Sequence, residues 1–193
     1  MKRRTFDGLI TLVGFGLTVF LFVAAGLLNW GYTFADTTVK NQLQAQAITM
    51  PVKTMNPNEA TSVTSFFSEH GGKIMSTARD AQMYADHYLG FHLSKMPTYA
   101  QASGASRGDI AALAANPNDA TLQAKAQASA ATVNTVFKGT MLKGTLLVAY
   151  AFGTFGLIAK YAAMTCLLAG LLILVLSILG LGHRAKTPES VTI

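Results

Sequence analysis

The chain has 193 residues, of which 51% are hydrophobic and 12% are charged, and its formal net charge is +6. Apolar residues crowd both ends, which excludes an ordinary soluble domain, while basic and acidic residues nearly cancel in the mixed-polar middle, residues 31–140. Nucleic-acid binding requires clustered Lys or Arg side chains to neutralise phosphates. The sequence contains no such cluster, so we expect no nucleic-acid partner.

At the N-terminal end, residues 1–4 include three basic side chains, and an apolar stretch from Gly8 to Trp30 follows. The stretch is long enough to span a bilayer, and basic flanks favour the cytoplasmic side. Residues 1–30 are therefore predicted to form a cytoplasmic N-terminus and a first transmembrane helix. A cleaved signal peptide is the alternative, although its apolar core usually has about 7–15 residues. Four glycines leave room for another helix to approach closely: Gly8, Gly14, Gly16 and Gly26.

The next segment predicts a helical domain outside the cytoplasm, residues 31–140. The polar pattern of residues 35–48 favours continuation of the first helix as a stalk that Pro51 stops. Asn56 as the cap, Pro57 at the first helical position and Glu59 at the third predict the start of a helix that reaches about Glu69.

Further along, residues 73–93 have the spacing of an amphipathic helix. Thr98 is predicted to cap a short helix, which leads into a flexible stretch at residues 103–108. Asn116 and its neighbours predict another helix start, after which an Ala- and Gln-rich helix runs towards the membrane. No segment alternates as a strand does, so the expected fold class is all-α.

The second apolar tract, residues 144–182, contains a single charge, Lys160. At 1.5 Å per residue it is too long for one span of about 30 Å. It forms either two spans that turn near Lys160, or one span preceded by another helix. Basic residues directly after it favour a cytoplasmic tail and hence an even number of spans. We favour two spans, with residues 141–161 as an interfacial or packed helix, 162–182 as the last transmembrane helix and 183–193 as the cytoplasmic tail. Three spans remain the alternative.

Two features of this tract are candidate functional residues. Lys160 is an ionisable group inside an apolar segment, which is a functional-site hypothesis by default, and its long stem also allows its ammonium group to reach the lipid headgroups. The second feature is a stripe of small residues at three- and four-residue steps, suited to close helix packing: Ala149, Gly153, Gly156, Ala159 and Ala163.

Other chemistry has weaker support in the sequence. His87 and His92 are five residues apart, which places them on different sides of an α-helix, so a metal site would also require His70 to fold back. No catalytic motif with known spacing occurs, and Cys166 is a lone thiol in the apolar tract. We therefore predict no enzyme activity, no metal and no cofactor.

A pattern of scattered positions covers roughly the second half of the predicted domain and the start of the second apolar tract. Its members are Tyr84, Ala85, Asp86, Tyr88, His92, Leu93, Thr98, Tyr99, Phe137, Gly139, Leu142, Gly144, Leu146, Leu147, Ala149, Tyr150, Ala151 and Phe152. This pattern resembles a group of uncharacterised actinobacterial membrane proteins, in which a helical extracytoplasmic domain lies between N- and C-terminal transmembrane segments. The sequence departs from the group at Thr140 and Lys143, where the group has Glu and Arg. The resemblance implies location and architecture but supplies no activity.

Together these features predict a two-span plasma-membrane protein of the cell envelope with both termini in the cytoplasm. Its expected role is accessory or structural, through helix packing and protein binding, and its expected partners are the bilayer and either another membrane protein or a second copy. The alternative is a transporter or channel subunit that uses Lys160 and a helix broken by glycines. A membrane-anchored metal protein or enzyme is the third hypothesis.

Overall fold

The computed structural model describes residues 3–188, and every regular element among them is helical. The helices are α1 Arg3–Ala45, α2 Thr61–His70, α3 Ala78–Met83, a π-helix Tyr84–Leu89, α4 Gly90–Ser94, α5 Tyr99–Ala115 and α6 Ala120–Lys186. The predicted all-α class is therefore confirmed for the described residues. The last five positions of the predicted tail, 189–193, lie outside them.

The chain divides into two compact units, which we call the terminal unit and the central unit. The terminal unit comprises residues 1–37 with 153–193, and the central unit comprises residues 38–152. Segments of α1 and α6 belong to each unit.

Helix α1 is 43 residues long and continues well beyond the apolar stretch, which confirms the predicted helical continuation of the first helix, the segment we call the stalk. It ends at Ala45, before Pro51, so the proline is not what stops it. Ala47 adopts a left-handed conformation with φ of 51° just after the helix end. A non-glycine residue in this region is uncommon, and here it turns the chain out of α1.

Helix α6 runs without interruption for 67 residues, about 100 Å at 1.5 Å per residue. The prediction of a separate helix at residues 141–161 is therefore wrong. The turn near Lys160 that three spans would need does not occur either. No proline occurs between residues 120 and 186 to break the helix. The excess length of the apolar tract has another cause: Leu146 is only 3% exposed and packs in the core of the central unit.

The core of the central unit collects apolar side chains from widely separated parts of the chain. Its largest fully buried members are Phe67, Met50, Met75 and Met83. Burying a side chain of this size contributes roughly 1.5–3 kcal/mol. The stalk of α1 supplies Val39 and Leu43 to the same core, and α6 supplies Leu146.

The connection from α1 to α3 is held by backbone hydrogen bonds between two of its stretches. The N–H of Met50 donates to the carbonyl of Lys73 at 2.8 Å, and the N–H of Met75 donates to the carbonyl of Ile48 at 2.9 Å. Gly72, whose N–H donates to the carbonyl of Met50, has a φ of +76°, where glycine carries no steric penalty. Residues 73–75 are therefore extended and do not begin a helix, contrary to the prediction for 73–93.

Helix α2 begins at Thr61, so the helix start predicted at Asn56 is wrong. The side-chain oxygen of Asn56 instead accepts a hydrogen bond from the N–H of Asn58, which closes a local turn. Glu59, which was expected in the first helical turn, points to His87 and lies 3.1 Å from its Nδ1. A distant partner therefore outweighs the local start signal.

Thr77 marks the true start of the third helical region through a capping box with Asp80. This region does not remain α-helical: Tyr84–Leu89 forms a π-helix, in which the N–H of Gly90 donates to the carbonyl of Ala85. π-Helices are rare and usually occur as single turns within α-helices. This turn shifts the side chains that follow it relative to a regular α-helix.

The capping predicted at Thr98 is confirmed, since its side chain forms a capping box with Gln101 at the start of α5. Residues 103–108, which were predicted to be flexible, are part of this helix. The helix start near Asn116 is also confirmed, with Asp119 as the capping residue. Its carboxylate accepts hydrogen bonds from the N–H groups of Thr121 and Leu122 at 2.8 and 3.1 Å.

Candidate functional site

The terminal unit contains a seam along which α1 and α6 approach each other through small side chains. Its buried positions recur at seven-residue steps on both helices. A strict seven-residue repeat is typical of helices that wrap around each other with a left-handed twist, and small residues let the backbones come close. On α1 the seam positions are Thr11, Thr18 and Ala25, and on α6 they are Gly156, Ala163, Gly170 and Ser177.

The space around the glycines of the seam shows how closely the two helices approach each other. A Cβ atom added at Gly170 would lie 2.7 Å from the ring of Phe22, and one added at Gly156 would lie 2.7 Å from the Cβ of Ala35. Real Cβ atoms essentially never come so close, so a larger residue at either position would force the facing side chain or helix to shift.

The pairing order shows that the two helices run antiparallel within the terminal unit. Gly8 meets Arg184, Gly14 meets Ser177, and the pairs with Phe22 and Ala35 follow in the reverse order along α6. Gly8 and Gly14 are thus at close approaches, as predicted. Gly16 and Gly26, by contrast, have no atom within 4 Å of an added Cβ.

The predicted stripe of small residues is only partly on this seam. Gly156 and Ala163 are buried in it, whereas Gly153 and Ala159 are half-buried beside it. Ala149 belongs to the central unit, where it packs against the core. Gly170, Ser177 and the two threonines were missed, although the seven-residue spacing that identifies them is present in the sequence.

The seam includes buried hydroxyl groups, which cost free energy unless they form hydrogen bonds. The hydroxyl of Thr11 donates to the carbonyl of Asp7 at 2.7 Å, and that of Thr18 donates to the carbonyl of Gly14 at 2.9 Å. Both bonds lie within α1, which is the usual way for threonine to be accommodated inside a helix. These threonines therefore pack as small residues without an unpaired hydroxyl.

The faces of both helices that point away from the seam are almost wholly apolar and exposed, and Leu12 and Phe155 are each 70% exposed. Both α1 and α6 are long and apolar enough to cross a membrane. Exposed apolar surface on this scale typically marks contact with a membrane or with another protein. Representative members are Leu9, Val13, Phe20, Leu168, Leu172 and Leu179.

Lys160 lies in a cleft of about 380 Å³ between α1 and α6. Its Nζ is 4.9 Å from the centre of the Tyr32 ring, a cation–π distance. Among the described residues, Lys160 forms no ion pair with a carboxylate. The cleft has one other polar side chain, Asn29, and its remaining walls are Phe22, Ala25, Gly26, Ala163, Met164 and Leu167.

The histidines of the central unit belong to separate contacts. His70 Nδ1 lies 2.6 Å from the buried carboxylate of Asp80, and His87 Nδ1 lies 3.1 Å from Glu59. His92 instead packs edge-on against Tyr88, with ring centres 4.7 Å apart. The structure therefore does not bring the histidines together. Within residues 3–188 no group of three His, Cys, Asp or Glu side chains is placed to hold a metal ion.

Two groups of the central unit have shifted pKa values. Burial, with a smaller contribution from neighbouring Tyr88, raises the pKa of the Tyr84 phenol above its usual value. The ammonium group of Lys125, 3.0 Å away, is the main reason that the pKa of the Asp109 carboxyl is lowered.

The positions that carry the resemblance noted above meet within the central unit. A Cβ added at Gly139 would lie 2.9 Å from Leu93, and the Lys143 ammonium is 3.8 Å from the Asp86 carboxylate. The Tyr99 and Phe137 rings are 5.9 Å apart. The two stretches that carry the resemblance, residues 84–99 and 137–152, therefore pack against each other.

Comparison with known proteins finds no matching family model, no matching curated sequence and no matching solved structure.

Proposed function

We propose that this chain is a non-enzymatic integral membrane protein of the cell envelope, accessory or structural in role, that acts through helix packing and protein binding. In this proposal α1 and α6 each cross the bilayer once, and the central unit lies outside the cytoplasm. The observation that carries the proposal is the antiparallel seam of small residues, whose outer faces are apolar and exposed.

The length of the seam fits a bilayer. From Gly8 to Ala35, the outermost close approaches on α1, the helix rises about 40 Å. A bilayer with its headgroup regions is about 40–45 Å thick. An antiparallel pair of this length therefore matches the whole membrane thickness.

The residues at the two ends of the seam support an orientation. At one end of the seam Gly8 approaches Arg184, and Arg4 lies one helical turn before Gly8. Basic residues favour the cytoplasmic side. At the other end, Trp30 stacks on Phe34 with ring centres 5.8 Å apart, and Tyr32 lies between them in sequence. Aromatic residues are enriched at membrane interfaces. Both termini are accordingly assigned to the cytoplasm.

The binding role is supported by an exposed apolar line on α6 within the central unit, formed by Phe137, Met141 and Val148. Their exposed fractions are 49%, 55% and 69%, and their spacings of four and seven residues place them on one face of the helix. Large apolar side chains lined up in this way present a ridge to a partner helix. We assign the line to contact with another membrane protein or a second copy of this chain.

The test is a set of single-cysteine proteins in intact cells, made in a Cys166→Ser background. A cysteine at Ser68, exposed in the central unit, is expected to react with a membrane-impermeant maleimide. Cysteines at Thr5 and Ala185, exposed near the ends of the terminal unit, are expected to react only after the membrane is permeabilised. Labelling of Ala185→Cys in intact cells would contradict the two-span arrangement.

The same set tests binding. A cysteine at Met141, treated with a short membrane-permeant cross-linker, is expected to give an adduct of higher mass, whose composition distinguishes a second copy from another protein. Thr140→Cys is the matched control, because it is also exposed but lies about 100° around the helix from the line. Equal adducts at the two positions, or none at Met141, would refute the assigned surface.

A further inference from the structure

We propose that the Lys160 cleft binds an anionic phospholipid from the leaflet nearer the central unit, with its phosphate at Lys160 and Asn29 and an acyl chain along the apolar walls. This proposal rests on the membrane insertion proposed above.

The cationic group of the cleft has no protein anion to balance it. Lys160 is half-buried, and the contact that the structure gives its ammonium is the face of the Tyr32 ring at 4.9 Å. Charges in an apolar setting are costly unless they are paired. A ring face holds the ammonium in place without neutralising it, so an anionic group is the complementary ligand.

Asn29 adds a second polar group to the same cleft. Its side-chain amide offers two N–H donors and one acceptor. Together, an ammonium and an amide donate hydrogen bonds to the oxygens of one phosphate. The described residues that line the cleft include no carboxylate, so the cationic headgroup of a zwitterionic lipid has no counterpart there. The cleft therefore selects for negative charge.

The depth of these groups matches that of a headgroup. Lys160 precedes His183 by 23 residues, about 35 Å of helix, and Asn29 follows Arg4 by 25 residues, about 38 Å. Because the basic ends mark one membrane surface and the hydrocarbon core is about 30 Å thick, the cleft's polar groups lie at the level of the opposite headgroups.

The rest of the cleft extends towards the hydrocarbon. From Asn29 to Phe22 the α1 wall descends about 10 Å, and its other members on α1 are Ala25 and Gly26. On α6 the wall continues with Met164 and Leu167, which are partly exposed. A polar mouth above an apolar trough suits a phospholipid and does not suit a free inorganic anion, which would gain nothing from the trough.

The test measures lipid retention on the full-length protein in mixed micelles that contain phosphatidylglycerol and phosphatidylcholine with identical acyl chains. Native mass spectrometry counts the bound lipids. Wild-type protein is expected to retain phosphatidylglycerol preferentially, and Lys160→Gln to reduce that preference about fivefold, as expected for one lysine near an anionic surface. Lys160→Arg is expected to keep it. Lys40→Gln removes the same charge at an exposed site on α1 outside the cleft and is expected to have no effect.

The trough is tested with a matched pair of glycine substitutions on α1. Both Gly26 and Gly16 have open space for a larger side chain, but only Gly26 lines the cleft. Gly26→Leu is expected to lower phosphatidylglycerol retention several-fold, whereas Gly16→Leu leaves it unchanged.

Three results would overturn the lipid site: equal losses in Lys40→Gln and Lys160→Gln, equal losses in the two glycine variants, or binding of inorganic phosphate at Lys160 by lipid-free protein in detergent. The cysteine labelling described above separates this failure from failure of the proposed function. Protein that inserts as expected, but whose lipid preference is unaffected by Lys160→Gln, refutes the lipid site alone. Protein that does not insert refutes both.

Discussion

Among the described residues, the terminal unit buries only small side chains, whereas the central unit buries large ones as well, although α1 and α6 contribute to both units. The terminal unit buries Thr, Ala, Gly and Ser along its seam, whereas the central unit buries phenylalanine and methionines such as Phe67 and Met83. In water, removing large apolar surfaces from the solvent drives packing. Between helices in lipid that driving force is lost, and close van der Waals contact of small residues replaces it. The contrast therefore agrees with the two solvents that we propose for the two units.

The largest expected effect on stability comes from a substitution in the core of the central unit. Phe67→Ala is expected to lower the free energy of unfolding of the central unit by about 3–5 kcal/mol, because the ring is fully buried and its removal leaves a cavity. Thermal unfolding of the full-length protein in detergent, followed by circular dichroism, measures this. Ile110→Ala, at an exposed side chain on α5, is the control and should change stability by less than about 0.5 kcal/mol. Similar losses in both variants would mean that burial does not govern the unit.

A smaller effect is expected at the seam. Gly14→Leu is expected to cost about 1–3 kcal/mol, because the new side chain would meet the side chain of Ser177 across the seam. Gly16→Leu, two residues away in open space, should cost much less. The fluorescence of Trp30, the single tryptophan, measures the denaturation of the terminal unit in micelles. A reversed ranking of the two glycine variants would contradict the assigned seam.

The smallest effect is expected from a surface ion pair of the central unit, because surface charges add little to its stability compared with its buried core. Lys125 lowers the pKa of Asp109 in the folded state, so the pair stabilises the fold at neutral pH. That contribution is lost as the pH falls from the usual aspartate value, about 3.9, through the lower folded pKa. NMR titration of the Asp109 carboxyl measures the shift, and Lys125→Gln should move the pKa back towards its usual value. An unchanged pKa in that variant would refute the pairing.

The features of the fold that depend on local sequence were predictable. The two long apolar helices follow from composition, and the caps at Thr98 and Asp119 follow from residues next to the helix they begin. The seam was only partly predicted. Small residues at three- and four-residue steps identified Gly156 and Ala163, but the seven-residue repeat on the two helices became evident only when both were compared.

The features that depend on distant partners were not predictable. Glu59 was expected in the first turn of α2 and is instead paired with His87, 28 residues later. The excess length of the second apolar tract suggested an extra helix because nothing local reveals that Leu146 belongs to the same buried core as Phe67. The Lys160 cleft also depends on distant partners, since Lys160 and Asn29 line the same cleft only when α1 and α6 pair.

The π-helix Tyr84–Leu89 fixes which residues of the following helix face the core of the central unit. Its hydrogen bonds join residues five apart, so its turn holds one residue more than an α-helical turn would. Forcing the same residues into an ordinary α-helix without shortening the chain would rotate everything after them by about 100°. Leu93 would then leave the hollow over Gly139, which has no side chain of its own to fill the gap. Deleting one residue of the turn would instead let an α-helix form with Leu93 still facing Gly139, so the wide turn is what accommodates the extra residue.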